Sequence, residues 1–127
     1  MNQAAKQYLE SVRRLEERAD QRRIELELID RDMKQIERYG GPVPGEMTSL
    51  RQEVQQERTQ FIHDRNSIIE QIQGMENETY RVFLYKRYVE YKNLEPISME
   101  MHYEFNYIRQ LHSIAVQAFG RCYGIGE

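Results

Sequence analysis

From Ala5 to Ile36 the apolar residues fall alternately three and four apart, at Ala5, Tyr8, Val12, Leu15, Ala19, Leu26, Ile29, Met33 and Ile36, with Arg22 the single polar interruption. This is a heptad seam, and it confines the segment to a long amphipathic helix that must lay its stripe against another helix. The remaining positions carry Glu, Arg, Gln and Asp, as in Arg13-Arg14-Leu15-Glu16-Glu17-Arg18, where opposite charges three or four apart support a solvated helix face. The pattern stops at Gly40-Gly41-Pro42-Val43-Pro44-Gly45, where a glycine can cap and the prolines cannot continue a helix. A second, poorer seam follows at Met47, Leu50, Val54, Phe61, Ile68, Ile72 and Met75, with Glu57 and Asp64 at positions that call for apolar residues. Each helix is expected to be roughly 45 to 50 Å long, and the short loop favours an antiparallel hairpin, a coiled coil. Folding about Val43 places Arg22 by Asp64, Ile29 by Glu57, Met33 by Val54 and Ile36 by Leu50. That predicts an Arg22–Asp64 ion pair whose use is to set register. The hairpin buries only one stripe per helix and so needs a partner, either the C-terminal half or a second subunit as in a homodimer.

After Gly74 the character changes. Seven of the nine tyrosines and three of the four phenylalanines lie between Tyr80 and Tyr123, which suits a compact aromatic core. A boundary near Met75 to Asn77 divides the chain into a hairpin, 1–75, for oligomerisation or partner binding, and a small three-helix unit, 76–127. Asn77 suits the N-cap of a helix reaching about Tyr91, and Asn93 that of a short helix with Pro96 in its first turn. A third helix is expected from about Phe105 to Phe119, ended by Gly120, with a frayed Gly124-Ile125-Gly126 tail. The fold class is all-α.

The formal net charge of −3 leaves no general basic excess for holding nucleic acid, so any DNA binding must be local. No apolar run approaches the ~18 to 20 residues of a membrane span, and Met1-Asn2-Gln3 begins no signal-peptide core, so the expectation is a cytoplasmic protein without a membrane partner. Cys122 is the only cysteine and reads as a reduced thiol on a small tail residue. His63, His102 and His112 are spread without metal-ligand spacing, and His112 reads as a surface residue. There is no phosphate loop, nucleophile elbow or convergent Ser, His and Asp set, so the chain reads as a non-enzyme without metal or cofactor. The tyrosines and methionines read as packing residues rather than a stacking surface or ligands.

The stretch Leu94 to Ser113 fits the helix-turn-helix template. Counting Leu94 as the first position, the fourth is Ile97, the fifth the small Ser98, the eighth Met101, the tenth Tyr103, the fifteenth Ile108 and the eighteenth Leu111. The ninth, where the turn calls for positive φ and usually glycine, is His102.

Three pieces, Tyr80-Arg81-Val82-Phe83-Leu84-Tyr85-Lys86-Arg87-Tyr88-Val89-Glu90, then Leu94-Glu95-Pro96-Ile97, then Tyr107-Ile108-Arg109-Gln110-Leu111-His112-Ser113-Ile114-Ala115, together resemble region 4 of bacterial sigma factors. Arg87-Tyr88-Val89-Glu90 is the most specific part. A sigma factor region 4-like unit behind a charged helical hairpin is similar to the phage and prophage (bacteriophage) regulators of late transcription of the ArpU and RinA type, which act in the cytoplasm of a bacterial host. The resemblance implies a DNA-binding transcription regulator whose third helix enters the major groove of double-stranded DNA. Base contacts then fall to Asn106, Tyr107, Arg109, Gln110 and Ser113: Arg109 to guanine, Asn106 or Gln110 to adenine, Tyr107 to a thymine methyl. Arg81, Lys86, Lys92 and Arg121 become the candidates for DNA phosphate contacts, while Arg87 is expected to be tied up inside the unit. Six Lys or Arg against four Glu between Tyr80 and Tyr123 imply modest, strongly salt-sensitive affinity, raised by dimerisation or made dependent on RNA polymerase.

The alternative is a coiled-coil adaptor or inhibitor that holds a protein partner without DNA. It predicts an exposed apolar stripe from Met47 to Met75 and no role for Arg109.

Overall fold

A heptad seam followed by glycine and proline leads to two long helices. In the computed structural model, which describes residues 1–126, these are α1, Gln3–Arg38, and α2, Gly45–Gln73. At 36 and 29 residues they span about 54 and 44 Å. Then come α3, Glu78–Leu84, prolonged by a π-helical stretch Tyr85–Val89; α4, Leu94–Met101; and α5, Phe105–Tyr123. Among the described residues there is no strand, and no helix is long and apolar enough to cross a membrane. The architecture is a long helical hairpin followed by a small helical unit.

α1 ends because Gly40 takes φ 78, which lets Gly40 N–H reach Glu37 O and Gly41 N–H reach Ile36 O, the Schellman pattern. α5 ends the same way. Gly124 at φ 66 directs Ile125 N–H to Gly120 O, so the helix runs to Tyr123 rather than stopping at Gly120. Asn77 caps α3 as expected, its Oδ1 accepting from Tyr80 N–H at 3.1 Å. Asn93 stands at the start of α4 in extended conformation without a side-chain cap bond. The helix opened by Asn77 widens at Tyr85 and closes at Glu90, whose N–H bonds Tyr85 O, ahead of Tyr91 at φ 60.

The chain forms two compact units, and their division differs from the expected one at residue 75. One comprises Met1–Arg14 with residues from Arg65 on, the other Leu15–Asp64. The reason lies in what the first turns of α1 bury. Ala5, Leu9 and Val12 are fully enclosed, together with Ile72, Phe83, Leu84, Ile97, Ile108, Leu111, Val116 and Phe119. Tyr8 packs its ring 6.1 Å from Phe119 and donates to Gln71 Oε1 at 2.6 Å. Gly120 is a packing glycine. A Cβ there would stand 3.2 Å from Ala5 Cβ, 2.8 Å from Ile125 O and in collision with Asn2 Nδ2. Asn2 accepts from Ala5 N–H at 3.1 Å to cap α1 and donates to Ile125 O at 2.9 Å, which ties down a tail expected to fray.

In the other unit only Ala19, Leu26 and Val54 are buried apolar residues. The Arg22–Asp64 pair does not form. Arg22 Nε donates to Glu57 at 2.7 Å, one heptad earlier, and its guanidinium lies 5.9 Å from the centre of the Phe61 ring. Asp64 instead accepts from Gln60 at 2.8 Å. Asp30 and Arg51 add a second cross-hairpin pair at 2.6 Å. Folding about Val43 assumed a symmetric turn, but α1 stops at Arg38 and shifts the pairing centre towards its own side. The Met47–Met75 stripe is largely covered, since Val54, Ile68, Ile72 and Met75 are buried, Met47 and Phe61 half-buried, and only Leu50 exposed.

Candidate nucleic-acid interface

α4 and α5 are joined by three residues, His102, Tyr103 and Glu104. His102 stands at φ 60, ψ 40, and Tyr103 N–H reaches back to Ser98 O at 3.0 Å. This is again a Schellman ending, with histidine in the left-handed place that glycine fills at Gly40 and Gly124. Ile97, Ser98, Ile108 and Leu111 are buried as the template requires, Ser98 Oγ donating to Glu95 O at 2.7 Å. Met101 is half-buried. Tyr103, expected inside, is exposed and rests its ring 4.8 Å from that of Tyr107, because the chain leaves α4 towards solvent at His102.

Behind α5, His112 is part of the core and not a surface residue. It is 8% exposed, its ring 5.4 Å from that of Phe83, and its Nε2 shares a 2.6 Å hydrogen bond with the Tyr88 hydroxyl. Burial, with Arg87 and Lys6 adding repulsion, pushes the His112 imidazole down to about 4, and burial pushes the Tyr88 phenol up. Both are therefore neutral at pH 7. The signal was present in the sequence: His112 lies four after Ile108 and three before Ala115, on the stripe that α5 buries.

On the opposite side of α5, Asn106, Arg109, Gln110 and Ser113 line one shallow open concavity with Ile114. The spacing of three and four puts them on one face over about 10 Å of helix. Arg109 is exposed and has no hydrogen-bond or ion-pair partner among the described residues. Tyr107 lies outside this group, exposed and stacked on Tyr103.

The phosphate candidates are placed differently from expectation. Arg81 donates to Met75 O at 2.8 Å, and Lys86 and Lys92 both donate to Glu100 Oε1 at 2.7 Å. Only Arg121, exposed in the last turn of α5, is without a partner among the described residues. The sequence does not reveal this, since Glu100 is eight residues from Lys92 and fourteen from Lys86 and meets them only through the fold. Arg87 is tied up inside the unit as expected, donating to Lys92 O at 3.1 Å.

Two further features escaped the sequence reading. Between Asn93 and Ile108 there is no Lys or Arg but three acids, Glu95, Glu100 and Glu104. In the same stretch Met99 and Phe105 are exposed. Comparison with protein families, curated proteins and solved structures finds no match for this chain.

Proposed function

We propose that this chain is a phage-type transcription regulator that binds duplex DNA through α5, in the cytoplasm of a bacterial host. The observation that carries the reading is the Asn106, Arg109, Gln110, Ser113 face, open on a helix that follows a three-residue turn, with the Arg109 guanidinium uncommitted. Arg109 suits guanine O6 and N7, and Asn106 or Gln110 suits adenine N6 and N7. Tyr107, on a neighbouring face, serves the edge of the site rather than its centre. Ile24, Leu28 and Leu50, exposed in the Leu15–Asp64 unit, support the hairpin as the part that dimerises or meets polymerase.

Selection of fragments from a random duplex library at two salt concentrations, with and without RNA polymerase, tests this reading. The native chain should enrich a recurrent site. Arg109→Ala should lose preference at one base pair and about 1 to 3 kcal/mol of binding. The absence of enrichment in every condition refutes it.

A second reading, a protein-binding adaptor without DNA contacts, is favoured by the exposed apolar side chains Met99 and Phe105 on a stretch without Lys or Arg. Under it, Arg109→Ala leaves association intact while Met99→Ser and Phe105→Ser weaken it.

A further inference from the structure

One carboxylate oxygen, Glu100 Oε1 on α4, receives two ammonium groups at 2.7 Å each, Lys86 Nζ from the π-helical stretch and Lys92 Nζ from the loop that follows. Glu90 adds a second acid to Lys92 at 3.4 Å. The hydrogen bonds from Lys86 and Lys92 hold the Glu100 carboxyl below its ordinary range, so carboxylate and lysines are all charged at neutral pH. Two ammonium donors converging on one anionic oxygen at this distance is also the coordination that a nucleic-acid phosphate oxygen takes from lysine. The three side chains are 22, 33 and 36% exposed, so an anion can reach them, and exposed ion pairs of this kind contribute little to stability.

We propose that Lys86 and Lys92 form a single clamp for a backbone phosphate of duplex DNA, closed in the free protein by Glu100, whose carboxylate occupies the phosphate's place. Glu100 then limits what Lys86 and Lys92 add to the sequence-independent part of the affinity. The clamp rests on the DNA-binding reading above and adds to it a site away from the base-reading face. Counting Glu90, the four groups are neutral overall with Glu100 in place and present one net positive charge to the duplex without its charge.

The test uses a random-sequence duplex of fixed length, because a phosphate contact needs no operator. In Glu100→Gln, affinity should rise about fivefold near 0.1 M salt, and the slope of log affinity against log salt should steepen by about 0.9. Adding Lys86→Gln or Lys92→Gln to that variant should cancel most of the gain. Glu95→Gln removes the same charge from the same helix without touching the lysines, and should gain little. Equal gains in Glu95→Gln and Glu100→Gln would show a general charge effect and overturn the clamp. Unchanged affinity and slope in Glu100→Gln, with the fold verified by thermal melting, would reduce the triad to a staple on α4. Either result leaves the DNA reading standing. If no variant binds duplex even at low salt, that reading falls and the clamp with it.

Discussion

A histidine buried against Phe83 and bonded to Tyr88 makes the stability of the small helical unit sensitive to mild acid. His112 titrates near 6.5 in the unfolded chain and near 4 when folded. Between those values the unfolded state binds the extra proton. The contribution is therefore complete above about pH 6.5 and is lost as the pH falls towards 4, with a full size on the order of 3 kcal/mol. The urea midpoint of the native chain should fall between about pH 6.5 and 5, where few carboxylates titrate. His112→Gln should be less stable at pH 7 but nearly flat across that window. Identical profiles for the two chains would show that His112 is not the titrating group. Gly120 carries a related lesson. Its place directly after Phe119 makes it look like a helix stop, but what it provides is space for Ala5 and Asn2. Helix ends and close approaches both use glycine, and only the neighbours tell them apart.

Among the elements, the ends of the helices were more legible than their pairing. Gly40 and Asn77 act as their residue types dictate, because capping depends on atoms within a few residues along the chain. The α4–turn–α5 spacing was legible at Ile97, Ser98, Ile108 and Leu111 and in the anomalous His102, though not at Tyr103, which is exposed. His102 accepts φ 60 where an L side chain costs about 1 kcal/mol or more relative to glycine. His102→Gly should raise the unfolding free energy by about 1 kcal/mol in urea titration and leave duplex affinity unchanged. A loss of stability would mean that the imidazole makes a contact worth more than the strain. The partner of Arg22 was not legible. Glu57 and Asp64 occupy equivalent seam positions one heptad apart, so local pattern alone ranks them equally, and the early end of α1 selects Glu57.

Over the whole molecule, apolar burial is concentrated in the unit made of Met1–Arg14 and the residues from Arg65 on, whereas Leu15–Asp64 buries only Ala19, Leu26 and Val54. Local opening free energy follows buried apolar contact. Residues 20–36, 50–60 and 109–119 all lie within α-helix, so a difference in hydrogen exchange between them reports the surroundings of each helix rather than its backbone bonding. Helical amides of residues 20–36 and 50–60 should exchange faster than those of residues 109–119 at equal pH. Comparable protection in both would indicate that the hairpin buries its exposed Ile24, Leu28 and Leu50 by self-association, which a concentration series would reveal.

The helical class, the hairpin, the turn between the long helices and the exposed polar face of α5 follow from periodicity and local chain chemistry, which act over three to seven residues and leave their mark in spacing. The enclosure of His112, the role of Gly120, the Glu57 register and the capture of Lys86 and Lys92 by Glu100 depend on residues brought together from distant parts of the chain. Charge and size are written at each position, but whether a lysine faces solvent or a carboxylate is settled by packing.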